Sequence, residues 1–257
     1  MSMIPRRTAE TAPEMPFLDH LEELRWRLIK SIAAIVIGAS LSYIYSDRLF
    51  MFLWHPLQTA APGMKIHFFR VAEAFNARLK VSIVAGCLLT SPFVIYQIWQ
   101  FVLPGLYRRE IRMVYLIVLF STFFFLAGVV FCYFVMLPYG LGFLLEQAPP
   151  NTEPTIMMGD YLNFVMWMIF AFGLVFQLPV VAFFLGRIGI ISSGLLKSGR
   201  RYAIVIIAVV AAVITPQPDF VSQGMLAIPL YFLYELSILI VRFTGRAEPV
   251  RGKNLAG

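Results

Sequence analysis

The sequence predicts an all-α, polytopic membrane protein with six transmembrane helices, both termini cytoplasmic, and a cytoplasmic amphipathic helix ahead of the first span. Three observations predict it. Apolar residues make up 60% of the 257 positions and charged residues only 14%, where a soluble domain carries about 25% charged residues. The mean hydropathy is +0.78. The apolar residues fall in continuous runs of membrane-spanning length, with basic residues gathered between them on one side.

That composition excludes a soluble enzyme, a disordered chain and a fibrous repeat. The two cysteines, Cys87 and Cys132, lie inside apolar runs with no metal-binding spacing, which excludes a disulfide scaffold. The net charge of +7 flanks apolar segments, so it reads as membrane topology rather than as a nucleic-acid surface. The first twenty residues show no apolar h-region and no cleavage site of a signal peptide.

Residues 1–15 are expected to be a flexible N-terminus and residues 16–243 a single membrane domain. From Pro16 to Lys30, Phe17, Leu21, Leu24 and Leu28 recur at helical spacing, with Asp19, His20, Glu22, Glu23, Arg25 and Arg27 on the other faces. This is an amphipathic helix lying along the interface and leading into the first span. The spans are expected at 29–45, 81–103, 113–137, 161–185, 202–214 and 224–241, the second with an amphipathic turn from Ala74. Runs this continuous exclude an alternating β-barrel pattern. Ala34, Gly38 and Ser42 form a small-residue stripe in the first span that permits close helix contact. The fifth run is short, roughly 20 Å at 1.5 Å per residue, and Pro216 and Pro218 end it. The charge pattern still requires it to cross, thinning the bilayer or tilting. The tail 244–257 is cytoplasmic.

Sixteen of the 21 basic residues lie in the N-terminal segment, 104–112, 186–201 and the C-terminal segment. The other five, Arg48, Lys65, Arg70, Arg78 and Lys80, all precede the second span. The loops 138–160 and 215–223 have no Lys or Arg. The positive-inside rule then places both termini in the cytoplasm.

The run Phe17-Leu18-Asp19-His20-Leu21-Glu22-Glu23-Leu24-Arg25-Trp26-Arg27-Leu28 resembles the N-terminal signature of the TatC family. The run from Ser91 through Tyr96-Gln97-Ile98-Trp99-Gln100-Phe101 to Arg109-Glu110 resembles that family's first cytoplasmic loop. Thr215-Pro216-Gln217-Pro218-Asp219-Phe220-Val221-Ser222-Gln223 is similar to its last periplasmic loop. The likeness extends from about Pro16 to Phe243. It implies six tilted helices in a concave shape in the bacterial inner membrane. It implies a receptor for twin-arginine signal peptides of folded precursor proteins, in an oligomeric complex with the single-span proteins TatA and TatB, driven by the proton-motive force.

The same resemblance sets Glu23 and Glu110 against the arginine pair of the signal. A carboxylate accepts the planar guanidinium fork in bidentate fashion, which lysine lacks. The residues by themselves offer a plainer reading: Glu23 pairs with Arg27 one turn on, and Glu110 neutralises Arg108, Arg109 and Arg112. Arg25, Arg27 and Arg108 hold those carboxylates, repel the ligand, or anchor the cytoplasmic side; Arg25 falls on a signature position. Phe101 and His20 also fall on signature positions, as binding-surface residues or as packing and helix-surface contacts.

Gln177, before Pro179 in the fourth span, stands where many family members carry Glu. It can hydrogen-bond a partner helix of TatA or TatB, or a neighbouring helix of its own chain, but it cannot titrate. Pro179 removes a backbone donor and kinks the helix. Asp219 suits a turn or helix cap after Pro218. Glu235, two turns before Arg242, reaches the interface or pairs within the bundle. Pro56 shapes the first outer loop.

No cofactor and no metal site is expected: His55 and His67 show no ligand spacing, and there is no HExxH, GxSxG or P-loop. The alternative class is a secondary transporter of a small solute. It would need broken-helix repeats and a charged midplane site, and neither is visible in the sequence.

Overall fold

The computed structural model describes residues 17–102, 111–147, 149, 155–215 and 220–244. It is helical almost throughout. The amphipathic segment and the first span form one continuous helix, α1 (Phe17–Tyr43). A 90° bend leads into α2 (Ser46–Ala60). This second helix lies where the sequence suggested a loop. Its inner face buries Leu53, Pro56 and Leu57.

Helix α3 (Val71–Val102) begins ten residues before the expected span. At 1.5 Å per residue it is roughly 48 Å long, more than a bilayer core needs. It runs antiparallel to α1, and the two backbones nearly touch. A Cβ on Gly86 would lie 2.3 Å from the Ala39 nitrogen, and one on Gly38 would lie 3.0 Å from the Gly86 carbonyl oxygen. The small-residue stripe of α1 therefore works as expected, with Gly86 as its counterpart.

The third expected span is α4 (Ile111–Phe131), which passes through a π-helical turn at Cys132–Met136 into α5 (Leu137–Glu146). The sequence placed its end at Leu137, next to Pro138. The wider π turn makes room for the proline ring, so the helix continues beyond it through Glu146.

The fourth span is α6 (Met158–Val175) and α7 (Leu178–Arg187), interrupted at Phe176 and Gln177. Pro179 cannot donate to the carbonyl one turn back, so the helix restarts on Gln177, whose carbonyl accepts from Val180 and Val181 at 3.0 and 2.9 Å. Gly189, at φ +81°, turns the chain out of α7 while the Ile190 amide donates to Leu185 at 3.0 Å. A short helix, α8 (Ser193–Ser198), precedes α9 (Arg200–Ile214), and α10 (Phe220–Thr244) ends the described chain.

A two-residue parallel bridge, β1 (Ile66–His67) with β2 (Ile156–Met157), joins the connection after α2 to the one after α5. Among the described residues, four helical stretches are long and apolar enough to cross a bilayer, and α1 with α2 would make a fifth. Helix α9, at 15 residues, falls short of that length. The main core lies between α2, α3, α5 and α6 around Leu57, Val81, Leu137, Leu162 and Phe172. A second cluster joins α3, α4 and α7 around Ile95, Trp99, Ile117 and Phe184.

Candidate functional site

The N-terminal part of α1 meets the C-terminal end of α3, and the polar side chains of the two signature motifs come together there. His20 stacks on Phe101 with ring centroids 4.4 Å apart and planes 11° from parallel. Further along α1, Arg27 Nε donates to Glu23 Oε1 at 2.9 Å, and Arg27 Nη2 donates to the same oxygen. Arg27 Nη1 points across to α3, where it donates to the side-chain oxygens of Gln100 and, at 3.4 Å, of Gln97. Gln100 in turn donates to the Tyr96 hydroxyl at 2.9 Å. Gln97 is buried, Glu23 and Arg27 are half-buried, and Arg25 is exposed on the neighbouring face.

The Glu23–Arg27 ion pair is thus present. The other carboxylate oxygen, Oε2, has His20 Nδ1 at 4.0 Å. Gln97 and Gln100 are functional candidates that lie inside the second motif but that sequence reasoning does not single out. Two amides three residues apart share one face of an otherwise apolar helix, and that spacing was the available signal. Glu110, the second carboxylate implied by the resemblance, lies outside the described residues, as does Asp219.

Gln177 faces α4 in the interrupted fourth span. Its Nε2 donates to the Ser121 carbonyl at 2.9 Å, and its Oε1 accepts from the Ser121 hydroxyl. That hydroxyl also accepts from Trp99 Nε1 of α3 at 2.9 Å. One polar chain therefore ties α3, α4 and the α6–α7 break together inside the bilayer, where an unpaired polar group is costly. The amide borders an apolar groove of about 360 Å³ formed by α1, α3, α4, α6 and α7. Pro179 is buried at the start of α7.

Pro56 stands inside α2 rather than in a loop. A proline there leaves the Phe52 carbonyl without its helical donor. The Tyr133 hydroxyl donates to that oxygen at 2.6 Å, and the Tyr161 hydroxyl to the next one, Leu53, at 2.6 Å. At the same end of the molecule Glu73 accepts from the Gly159 and Phe69 amides at 2.8 and 3.1 Å. Lys80 donates to Asn163 at 2.7 Å. On α10, Glu235 pairs within the chain, accepting from Arg200 at 2.7 Å and from Tyr231 at 2.9 Å.

Comparison with known proteins shows which family shares this fold. The family model described as "Sec-independent protein translocase protein (TatC)" matches residues 19–229. The Sec-independent protein translocase protein TatC of Desulforapulum autotrophicum is 45% identical over 91% of this chain and 86% of its own length. That of Aquifex aeolicus is 36% identical over 91% and 98%. A crystal structure described as the twin arginine translocase receptor TatC superposes with a TM-score of 0.77 at 35% identity, covering 88% of this chain and all of that one. A second, in DDM, gives 0.78 at 36% identity. The fold and these likenesses define a multi-pass membrane component of a protein translocase, a receptor class without enzymatic activity. The chain belongs to the TatC family.

Proposed function

We propose that this chain is the subunit of the twin-arginine translocase that binds the signal peptides of folded precursors at the α1–α3 junction. The observation that carries the reading is the position of Glu23. It is a half-buried carboxylate already bound to a guanidinium, beside a His20–Phe101 stack at the C-terminal end of α3, the helix that precedes Glu110 in the sequence. A site that holds one guanidinium has the charge and the acceptor geometry for another.

In this reading Glu23 and Glu110 receive the two signal arginines, Arg25 supports the surface, and the His20–Phe101 stack forms its apolar wall. Six spans place both termini in the cytoplasm of a bacterial inner membrane, with α9 as the short fifth crossing. The spare Gln177 amide hydrogen beside the groove, next to Pro179, meets a TatA or TatB helix in an oligomeric complex driven by the proton-motive force.

The test is photo-crosslinking from beside the arginine pair of a signal peptide to the protein in a native-like bilayer. Adducts near Glu23 and Glu110 that vanish with a twin-lysine peptide are expected. Equal or absent labelling by both peptides would overturn the reading.

A further inference from the structure

The occupied state of Glu23 has a consequence for how the site opens. All three nitrogens of Arg27 are engaged: Nε and Nη2 on Glu23 Oε1, and Nη1 on Gln100 and Gln97 of the facing helix. One carboxylate oxygen therefore carries two donors, while Oε2 has only His20 Nδ1 at 4.0 Å. The Arg27 side chain is 17% exposed and that of Glu23 is 24% exposed, so this pair is screened less than a surface pair. An incoming guanidinium that takes both oxygens in the bidentate manner cannot share Oε1 with the resident one. Two guanidinium groups on one carboxylate would also repel each other.

We propose that Arg27 is a built-in competitor: it occupies the Glu23 acceptor in the empty receptor and is displaced by the signal's arginine, with Gln97 and Gln100 retaining the displaced guanidinium. The two amide oxygens already hold Nη1, so Arg27 stays anchored to α3 when Nε and Nη2 leave Glu23. The exchange trades one charge-assisted bond pair for another. Binding energy then depends on the ligand matching the guanidinium fork, because a lysine releases Arg27 but returns only a point charge. This inference rests on the receptor reading and adds a gate to the same site.

The test is equilibrium binding of fluorescent twin-arginine and twin-lysine signal peptides to the full chain in nanodiscs. Removing a competitor raises the fraction of binding-competent receptor, so R27Q should tighten twin-arginine binding by about fivefold. It should tighten twin-lysine binding by the same factor, because a resident competitor weakens every ligand of Glu23 alike. R27K keeps the stem and the charge but loses the fork, and should give a smaller gain in the same direction. Q100A should weaken twin-arginine binding in the unaltered background and have no effect in the R27Q background, a non-additivity that a direct peptide contact would not produce. Unchanged or weaker binding by both R27Q and R27K, or an equal Q100A effect in both backgrounds, overturns the gate. If the unaltered protein itself shows no twin-arginine preference, the receptor reading falls and the gate with it. A twin-arginine preference in the unaltered protein, with affinities that the Arg27 variants leave unchanged, removes the gate alone.

Discussion

The Tyr133 hydroxyl donates at 2.6 Å to the Phe52 carbonyl, the acceptor that Pro56 strands inside α2, and the Tyr133 and Phe52 rings stack with centroids 4.3 Å apart. A proline within a membrane-proximal helix is thus matched by a tyrosine on the π turn, which reaches a carbonyl 81 residues away in the chain. Y133F should lower stability by about 1 kcal/mol, the net worth of one such bond. In a P56A background, where the substituted alanine restores the backbone donor, the same change should cost less. Thermal unfolding of the four proteins in detergent measures the cycle.

The contact of α1 with α3 is made at backbone distance, so it has no room for a methyl group. G86A puts a Cβ 2.3 Å from the Ala39 nitrogen and should destabilise by about 3 kcal/mol. Signal-peptide affinity should fall with it, because Glu23 rides on one helix and Gln100 on the other. G140A, where a Cβ meets nothing within 4 Å, is the matched control and should be neutral. A G86A protein with unaltered melting and affinity would show that the two helices separate freely.

The carboxylate pair is tested directly. E23A and E110A should each reduce export of a twin-arginine reporter to background while leaving membrane insertion intact, read by reporter transport in cells and by membrane fractionation. Normal export by both variants would reject the assignment of the site.

Gln177 is bonded at both ends of its amide, to the hydroxyl and the carbonyl of Ser121. Q177L removes the acceptor of the Ser121 hydroxyl and the second donor to the Ser121 carbonyl, and should lower stability by about 1 kcal/mol, seen as a lower melting temperature. Q177E keeps an acceptor for the Ser121 hydroxyl in a slot that opens on the groove, and should be tolerated. Collapse of Q177E would mark a closed site with no access to water.

Much of the architecture was legible in the chain. Apolar runs located the membrane helices, and the small-residue stripe of α1 marked a close contact. The PFLDHLEELRWRL segment and the SPFVIYQIWQF segment named the surfaces that meet at His20 and Phe101. Three features were not legible. Helix α2 reads as a loop because His55 and Pro56 interrupt a short, partly polar run, and only burial of Leu53 and Leu57 against other helices fixes it. The helix beyond Pro138 depends on a π turn, which has no sequence signature of its own. The 66–67 to 156–157 bridge pairs segments far apart in the chain with no alternating pattern.

Hydropathy belongs to each segment alone, because burying an apolar side chain in lipid needs no particular neighbour. The sequence by itself therefore determined the membrane class, the all-helical fold and the two motifs that carry the family. Hydrogen-bond partners depend on interhelical register, which no single segment holds. The tertiary structure alone decided that Arg27 reaches Gln100 across 73 residues, that Gln177 spends its amide on Ser121 across 56, and that Tyr133 finds the carbonyl Pro56 set free. In a bilayer these choices follow from one requirement: polar groups buried between helices must find their partners within the protein.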